Sequence, residues 1–161
     1  MIVVTDTSVV LNLCLLGRAG LLHSLFGVVL APPSVRAEFE RLATWDPRFL
    51  RLVFPSFIRL VDAPSVPSPL TANRRLHRGE TDAHALAVAE KADAVLMDER
   101  AGRTAAAALG IRTVGIVGIL FQAKEAGLIP AVRPLLDQLQ SEAGFWIAAR
   151  LREDVLARAG E

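Results

Sequence analysis

Acidic side chains stand at four separate places along the chain where their positions suit metal chemistry. Asp6 and Asp98 each follow a short apolar run. Glu38 lies early in one helical pattern, and Glu80 and Asp82 lie in the first turns of another. Carboxylate oxygens are the ligands that Mg²⁺ and Mn²⁺ prefer, and converging carboxylates repel one another without a cation. If the four places meet in space, they predict a metal site that activates water for phosphodiester hydrolysis.

Each of these acids, taken alone, also has a purely structural interpretation. Asp6 could cap the helix that follows it, and Glu38 could simply face solvent. An acid at the start of a helix, such as Glu80 or Asp82, favours the helix dipole. Ser8 has no partner for a catalytic triad near it in sequence, so a helix cap or a supporting role beside Asp6 is favoured. The joint placement of the acids at strand ends and helix starts favours the functional interpretation.

Alternating strand and helix patterns predict the elements that would bring these acids together. Strands are predicted at residues 2–4, 28–30, 57–61, 94–97 and 111–114, the third of them at an edge of the sheet. Helices are predicted at residues 9–16, 21–26, 35–42, 80–91, 101–109, 117–126, 131–142 and 145–159, with Thr7 or Ser8 capping the first and Ser34 the third. This alternation predicts an α/β fold with a mainly parallel sheet. Ligands of such sheets bind beyond the carboxyl ends of the strands, where Asp6 and Asp98 are expected.

Basic side chains precede the acidic helix. Arg74, Arg75 and Arg78 form a run that either contacts a phosphate backbone beside the acids or belongs to a solvated loop. The three histidines of the chain are scattered and lack the paired spacing of zinc ligands, so no zinc site is predicted.

Composition limits the class of protein. The chain has 161 residues, which is consistent with one domain, and its net charge of +1 neither requires nor excludes nucleic acid. No apolar run reaches the roughly 18 residues that a membrane helix needs. The N-terminal segment has no basic region before its first acid, and the single cysteine, Cys14, cannot form an internal disulfide. We therefore expect a cytoplasmic protein that does not interact with membranes.

Five segments in the same order and spacing resemble the PIN-domain family, in particular VapC-like toxin ribonucleases and DUF3368-type PIN proteins. The segments are VVTDTSVVLNL, APPSVRAEF, RGETDAHALAVA, AVLMDERAGRTAAAALGIRTVG and GILFQAKEAGLI. They cover most of residues 1–130. The DERAGR sequence after the fourth strand is the pattern of the DUF3368-like branch, which is less uniformly tied to antitoxins.

The resemblance implies a three-layer α/β/α sandwich and metal-dependent cleavage of RNA. The acidic tetrad of the family corresponds to Asp6, Glu38, Asp98 and a third acid that is either Glu80 or Asp82. Ser8 stands at the position of the hydroxyl that supports the first aspartate. The resemblance also implies Mg²⁺ or Mn²⁺ as cofactor, a homodimer, and a cognate antitoxin protein as partner.

The sequence predicts two parts of one domain and leaves three functional hypotheses. Residues 1–130 are predicted to form the nuclease core, and residues 131–161 a C-terminal helical extension packed on the same domain. The leading hypothesis is a metal-dependent endoribonuclease, the toxin of a type II toxin–antitoxin system. A non-catalytic interaction module with the same fold is the alternative. A haloacid-dehalogenase-like phosphatase is disfavoured, because Ser8 stands where that chemistry needs a second acid.

Overall fold

The first strand lies at the centre of the sheet. The computed structural model describes residues 1–65 and 76–161, and in it β1 comprises Ile2–Thr5. This strand pairs in parallel with β2 (Val28–Ala31) on one side and with β4 (Ala94–Leu96) on the other. Val3 and Val4 are fully buried, because helices cover both faces of a parallel sheet.

The five strands of the described residues are all parallel, in the order β3-β2-β1-β4-β5. The edge strands are short: β3 is Arg59–Leu60 and β5 is Thr113–Val114. The predicted parallel α/β fold is confirmed, although β3 is shorter than the predicted 57–61. After β3 the chain returns across the sheet to β4 on the far side of β1, so the strand order switches between β1 and β4. Parallel sheets bind ligands at such a switch point.

Eight helices are present in the described residues. They are α1 (Thr7–Leu15), α2 (Gly20–Phe26), α3 (Pro33–Trp45), α4 (Arg78–Ala89), α5 (Arg100–Ala108), α6 (Ile116–Glu125), α7 (Arg133–Glu142) and α8 (Ala149–Arg158). No single one of these eight is long and apolar enough to cross a membrane; α1 and α2 reach that length and composition only as a pair, bent by 118°.

Two predicted helix starts are wrong. For α1 the prediction of Thr7 or Ser8 as cap is wrong, whereas the structural interpretation of Asp6 is confirmed, because its carboxylate accepts from the Val9 N–H. A carboxylate caps at least as well as a hydroxyl, and Asp6 comes first in the chain. Helix α3 begins at Pro33, where a missing N–H has no cost, so Ser34 lies inside its first turn.

Successive side chains along each strand point to opposite faces of the sheet, and helices pack on both faces as two outer layers. Val4 and Val95 pack on one face of the sheet with α4, where Leu86 is fully buried. Val3 and Leu96 face the other way, into a larger apolar cluster. Because helices cover both faces, the structure is the predicted three-layer α/β/α sandwich.

Helices α7 and α8 belong to the larger of these two clusters. Leu136 and Leu139 of α7 are fully buried, and Val155 and Leu156 of α8 are nearly so. The cluster also contains Leu120 from α6 and side chains of α1. Residues 131–161 therefore share one hydrophobic core with the sheet.

Candidate active site

Asp6 lies at the carboxyl end of β1 and is only 2% exposed. One carboxylate oxygen accepts from the Val9 N–H at 2.9 Å, and the other accepts from the Ser8 hydroxyl at 3.1 Å. The pKa of Asp6 is raised to about 8, chiefly by burial and further by the negative charges of Asp98 and Glu80. Asp6 is therefore a buried acid with other acids as neighbours, an arrangement that a bound cation would stabilise.

Asp98 follows β4 on the other side of the switch point. Its Oδ1 accepts from the Ile116 N–H at 2.9 Å and so caps α6, whereas its Oδ2 is buried without a hydrogen-bond partner among the described residues. Gly115 allows this approach, because a Cβ there would lie 2.5 Å from Oδ1. Burial raises the pKa of Asp98 to about 6, although the Ile116 N–H and the charge of Arg103 lower it. An unpartnered buried carboxylate oxygen is costly without a donor or a cation.

Glu80 brings a third acid from the first turn of α4. Its carboxylate accepts from the His77 N–H at 3.0 Å, which anchors it at the start of the helix. The side chain is largely buried, and burial raises its pKa, with a further rise from the charge of Glu99. Because the charge of Glu80 acts on Asp6, the two carboxylates lie within electrostatic reach of each other.

A fully buried histidine, His84, connects Glu80 to the next helix. Its Nδ1 lies 2.5 Å from the Glu80 carbonyl oxygen, and its Nε2 lies 2.8 Å from the Gly102 carbonyl oxygen in α5. A carbonyl oxygen can only accept, so a ring nitrogen that carries hydrogen donates to the carbonyl that it faces. His84 thus holds α4 against the helix that follows Asp98.

Glu38 reaches the site from α3. Its Oε2 accepts from the Thr7 hydroxyl at 2.7 Å, which places it beside the residue that follows Asp6. Gly79 allows α4 to come close, because a Cβ there would lie 3.0 Å from Glu38 Oε2 and 3.4 Å from Thr7 Oγ1. Three helices therefore meet at Glu38.

Asp82 is held differently from Glu80. Its Oδ2 accepts from the Ser34 hydroxyl at 2.6 Å and lies 3.7 Å from the Arg78 guanidinium. Asp82 and Glu38 both face a cavity between α3 and α4, whereas Glu80 acts on Asp6. The two candidates for the third acid thus have different neighbours: the charge of Glu80 acts on Asp6 at the switch point, whereas Asp82 lies on the more open side.

The comparison that identifies the family covers nearly the whole chain. A family model described as a PIN domain, DUF3368, matches residues 2–161. This chain belongs to the PIN-domain family. A comparison with curated proteins and one with solved structures each found no match. The PIN domain is a nuclease-type fold, and its members typically use divalent metals.

The donor set of this PIN domain fits a hard divalent cation. All the acids offer oxygen, and Asp98 Oδ2 lies buried without a partner in the described part of the chain. Across residues 1–65 and 76–161, no three acid, histidine or cysteine side chains form a preassembled ligand cage. Mg²⁺ does not need one, because it usually keeps several waters and takes one or two carboxylates. Asp6 and Asp98 are the residues best placed to hold it, with Glu80 next.

The predicted basic residues differ in where they lie relative to the described structure. Arg74 and Arg75 lie outside the described residues. Arg78 is highly exposed at the start of α4 and pairs with Asp82. Arg103, which the sequence did not single out, acts on Asp98 from α5 and points an Nη1 toward the Met97 carbonyl oxygen at 3.4 Å.

The PIN domain also contains supporting residues that sequence reasoning missed. Thr7 and Ser34 were interpreted only as helix caps, yet each donates its hydroxyl to a carboxylate on another helix. His84 was considered only as a zinc ligand and rejected. The available signal for His84 was its position four residues after Glu80, which places it on the same face of α4.

Proposed function

We propose that this PIN domain is a Mg²⁺- or Mn²⁺-dependent endoribonuclease that hydrolyses RNA phosphodiester bonds. One observation carries the proposal: buried Asp6 and half-buried Asp98, whose Oδ2 atom is buried without a partner among the described residues, lie on either side of the switch point, and both have raised pKa values. Acids whose charged forms are disfavoured by burial at a ligand-binding edge are typical of a functional site, because they cost stability unless a cation neutralises them.

Each acid has a separate task in this proposal. A divalent cation bound here would activate a water and neutralise charge on the phosphodiester. Asp6 and Asp98 would hold it from the ends of two strands, and the Ser8 hydroxyl fixes the orientation of Asp6. Glu80 adds negative charge from α4. Glu38 and Asp82, each oriented by a hydroxyl, complete the acidic set on the open side.

Partners are proposed on the same basis. Exposed Arg78, with Arg74 and Arg75 before it in sequence, is proposed to contact the phosphates of RNA, since a net charge of +1 provides no general attraction. A toxin role with a cognate antitoxin protein and a homodimeric state extend the family resemblance. Cytoplasmic location belongs to the same proposal.

A non-catalytic interaction module is the second candidate. It is favoured by the lack of a preassembled ligand cage in the two described ranges. Such a module would retain the fold and bind RNA or a protein without turnover.

The deciding experiment is cleavage of single-stranded and structured RNAs by the purified chain with Mn²⁺ or Mg²⁺, with EDTA, and with Asp98→Asn. We expect cleavage that requires both the metal and Asp98. The matched control is Asp154→Asn, which makes the same change at an exposed position in α8 and should cleave like the unmodified chain. Metal binding by calorimetry without cleavage of any RNA would favour the module, and cleavage in EDTA would contradict the metal mechanism.

A further inference from the structure

Arg103 is a cation at the acidic edge of the sheet. It is an exposed residue of α5, the helix that follows Asp98. Within residues 1–65 and 76–161 no carboxylate forms an ion pair with it, not even Glu99 one turn earlier. Arg78, by contrast, lies 3.7 Å from Asp82. The charge of Arg103 is therefore not neutralised by a carboxylate of the described structure.

The guanidinium of Arg103 lies beside Asp98. A Cβ at Gly115 would lie 2.5 Å from Asp98 Oδ1 and 3.0 Å from Arg103 Nη1, so the two atoms face the same point. Their proximity is also visible in the pKa of Asp98, which the charge of Arg103 lowers. The positive charge of Arg103 is thus next to one of the two carboxylates that are best placed to hold the proposed metal.

Most donors of this guanidinium are unused in the described structure. An arginine side chain carries five N–H donors. Its Nη1 donates to the Met97 carbonyl oxygen at 3.4 Å, and this is the one hydrogen bond of the Arg103 side chain within the two described ranges. Met97 lies between β4 and Asp98, so the contact holds the guanidinium at the end of the strand. The other N–H groups remain for a ligand.

Asp98 does not use Arg103 as its structural partner. Its Oδ1 accepts from the Ile116 N–H at 2.9 Å, whereas its Oδ2 is buried without a partner in the described part of the chain. An arginine and a carboxylate that stabilise each other commonly form two parallel hydrogen bonds. Here the two groups are neighbours without that pairing, which leaves the carboxylate for a cation and the guanidinium for an anion.

The anion that suits this arrangement is a phosphodiester. A planar guanidinium can donate to two phosphate oxygens at once. Charge on those oxygens must be stabilised during hydrolysis, and a cation that is already in place does so without reorganisation. Because the acids of this edge repel an anion, a cation between them and the solvent has a large effect on a phosphate there.

We propose that Arg103 is a catalytic residue that donates to the non-bridging oxygens of the cleaved phosphodiester. The inference rests on the proposed nuclease function and adds the residue that stabilises charge on the phosphate. In the hydrolysis the oxygen of water bonds to phosphorus, the bond from phosphorus to the leaving oxygen breaks, and a proton of the water ends on the leaving oxygen. Arg103 keeps its protons throughout.

Arg103→Gln and Arg103→Lys test this assignment. Arg150→Gln is the matched control, because it makes the same change at a side chain of α8 that is 93% exposed. Mn²⁺ binding is measured by calorimetry at about pH 8, where Asp98, with a pKa of about 6, is charged. Cleavage of RNA is measured with the same preparations, and kcat and KM are determined separately.

In Arg103→Gln we expect kcat to fall by at least about 100-fold, as when one preorganised donor to an oxyanion is lost, and KM to change much less. Mn²⁺ affinity should stay the same or rise, because a cation beside the metal site has been removed. Arg103→Lys keeps the charge but not the planar fork, so it should recover part of the lost kcat. Arg150→Gln should match the unmodified chain in every measurement.

Two results would overturn the assignment. An unchanged kcat in Arg103→Gln would show that cleavage does not depend on this residue. A loss of Mn²⁺ affinity that accounts for the lost cleavage, equal in the Gln and Lys variants, would show that Arg103 only positions Asp98. In both cases the unmodified chain still cleaves, so the proposed function stands. An unmodified chain that neither binds Mn²⁺ nor cleaves RNA would contradict the proposed function itself, and the role of Arg103 with it.

Discussion

Two carboxylates at different places in the molecule both accept hydrogen bonds at the start of a helix, but their pKa values are shifted in opposite directions. Asp6 caps α1 at the switch point, where its neighbours are the acids Asp98 and Glu80. Glu161 accepts from the N–H groups of Val132 and Arg133 where α7 begins. Each of the two carboxylates therefore stabilises a helix start.

Asp6 and Glu161 differ in the charges that surround them. The pKa of Asp6 is raised to about 8, whereas that of Glu161 is lowered to about 2, because Lys124 and the two N–H groups outweigh its burial. Glu161 lies beside a cation that the chain itself supplies, with Lys124 Nζ at 2.8 Å. Asp6 lacks such a partner in the described part of the chain and would be stabilised by the proposed metal. The contrast distinguishes an acid whose charge is neutralised by the chain itself from one whose charge has no such partner among the described residues.

The largest expected effect is on activity. Asp6→Asn keeps an oxygen that can accept from Val9 but removes the charge, so RNA cleavage should fall by more than the roughly 10- to 100-fold typical of outer-shell changes. The free energy of unfolding without metal should not fall, because the amide replaces a carboxyl group whose charged form burial disfavours. Cleavage rates and denaturant unfolding of the two chains measure this. Full activity in Asp6→Asn would contradict the assignment of Asp6 to the metal.

The second effect is on the pH dependence of stability, which should fall as pH rises. The raised pKa of Asp6 means that the folded chain binds more protons than the unfolded chain between about pH 4 and pH 8. Stability without metal should therefore fall as pH rises through this window, by up to about 1.4 kcal/mol per pH unit for one group. Mn²⁺ should restore stability more at about pH 8 than at about pH 6, because it competes with protons.

Denaturant unfolding in EDTA and in Mn²⁺ across this window measures the pH dependence, with Asp6→Asn as the control. The slope should flatten in that variant, although Asp98 and Glu80 keep part of it. Stability that rises with pH in the metal-free chain would show that the acids are not destabilised by burial.

The smallest effect is at the other cap. Glu161→Gln keeps an acceptor for the start of α7 but removes the charge that pairs with Lys124, so stability at neutral pH should fall by roughly 1 kcal/mol. Because the pKa of Glu161 is lowered, its contribution is complete above about pH 5 and is lost as the pH falls toward 2. RNA cleavage should stay unchanged. A loss of cleavage at constant stability would connect this end of the molecule to the site.

Local sequence patterns predicted most of the fold. The β-branched run at residues 2–4 and the apolar run at 94–97 match the observed β1 and β4 to within one residue at each end, and an acid lies within two residues of the end of each strand. Errors are concentrated at element ends. Asp6 is the cap of α1. Adjacent Asp, Thr and Ser side chains can all accept from the N–H groups of the first turn, and the sequence does not show which of the three does so. The edge strand β3 is short because edge strands depend on one neighbour for pairing.

The candidate site was predictable only in its residue types. Asp6 and Asp98 could be placed at one edge because parallel strands end on the same side of the sheet. Whether Glu80 or Asp82 joins them could not be decided, since both lie in the first turns of one helix. The structure gives them different neighbours, with Glu80 acting on Asp6 and Asp82 accepting from Ser34.

The sequence by itself determined the elements, their parallel arrangement and the acids that follow β1 and β4, because these depend on side-chain type and periodicity over a few residues. Only the tertiary structure decided which groups hold those acids. Thr7 donates to Glu38, which is 31 positions away in the chain, and Ser34 donates to Asp82, which is 48 positions away. Asp98 accepts from the Ile116 N–H at the start of α6, 18 positions away. Such contacts depend on strand order and on the close approach at Gly79 and Gly115, and local periodicity encodes neither.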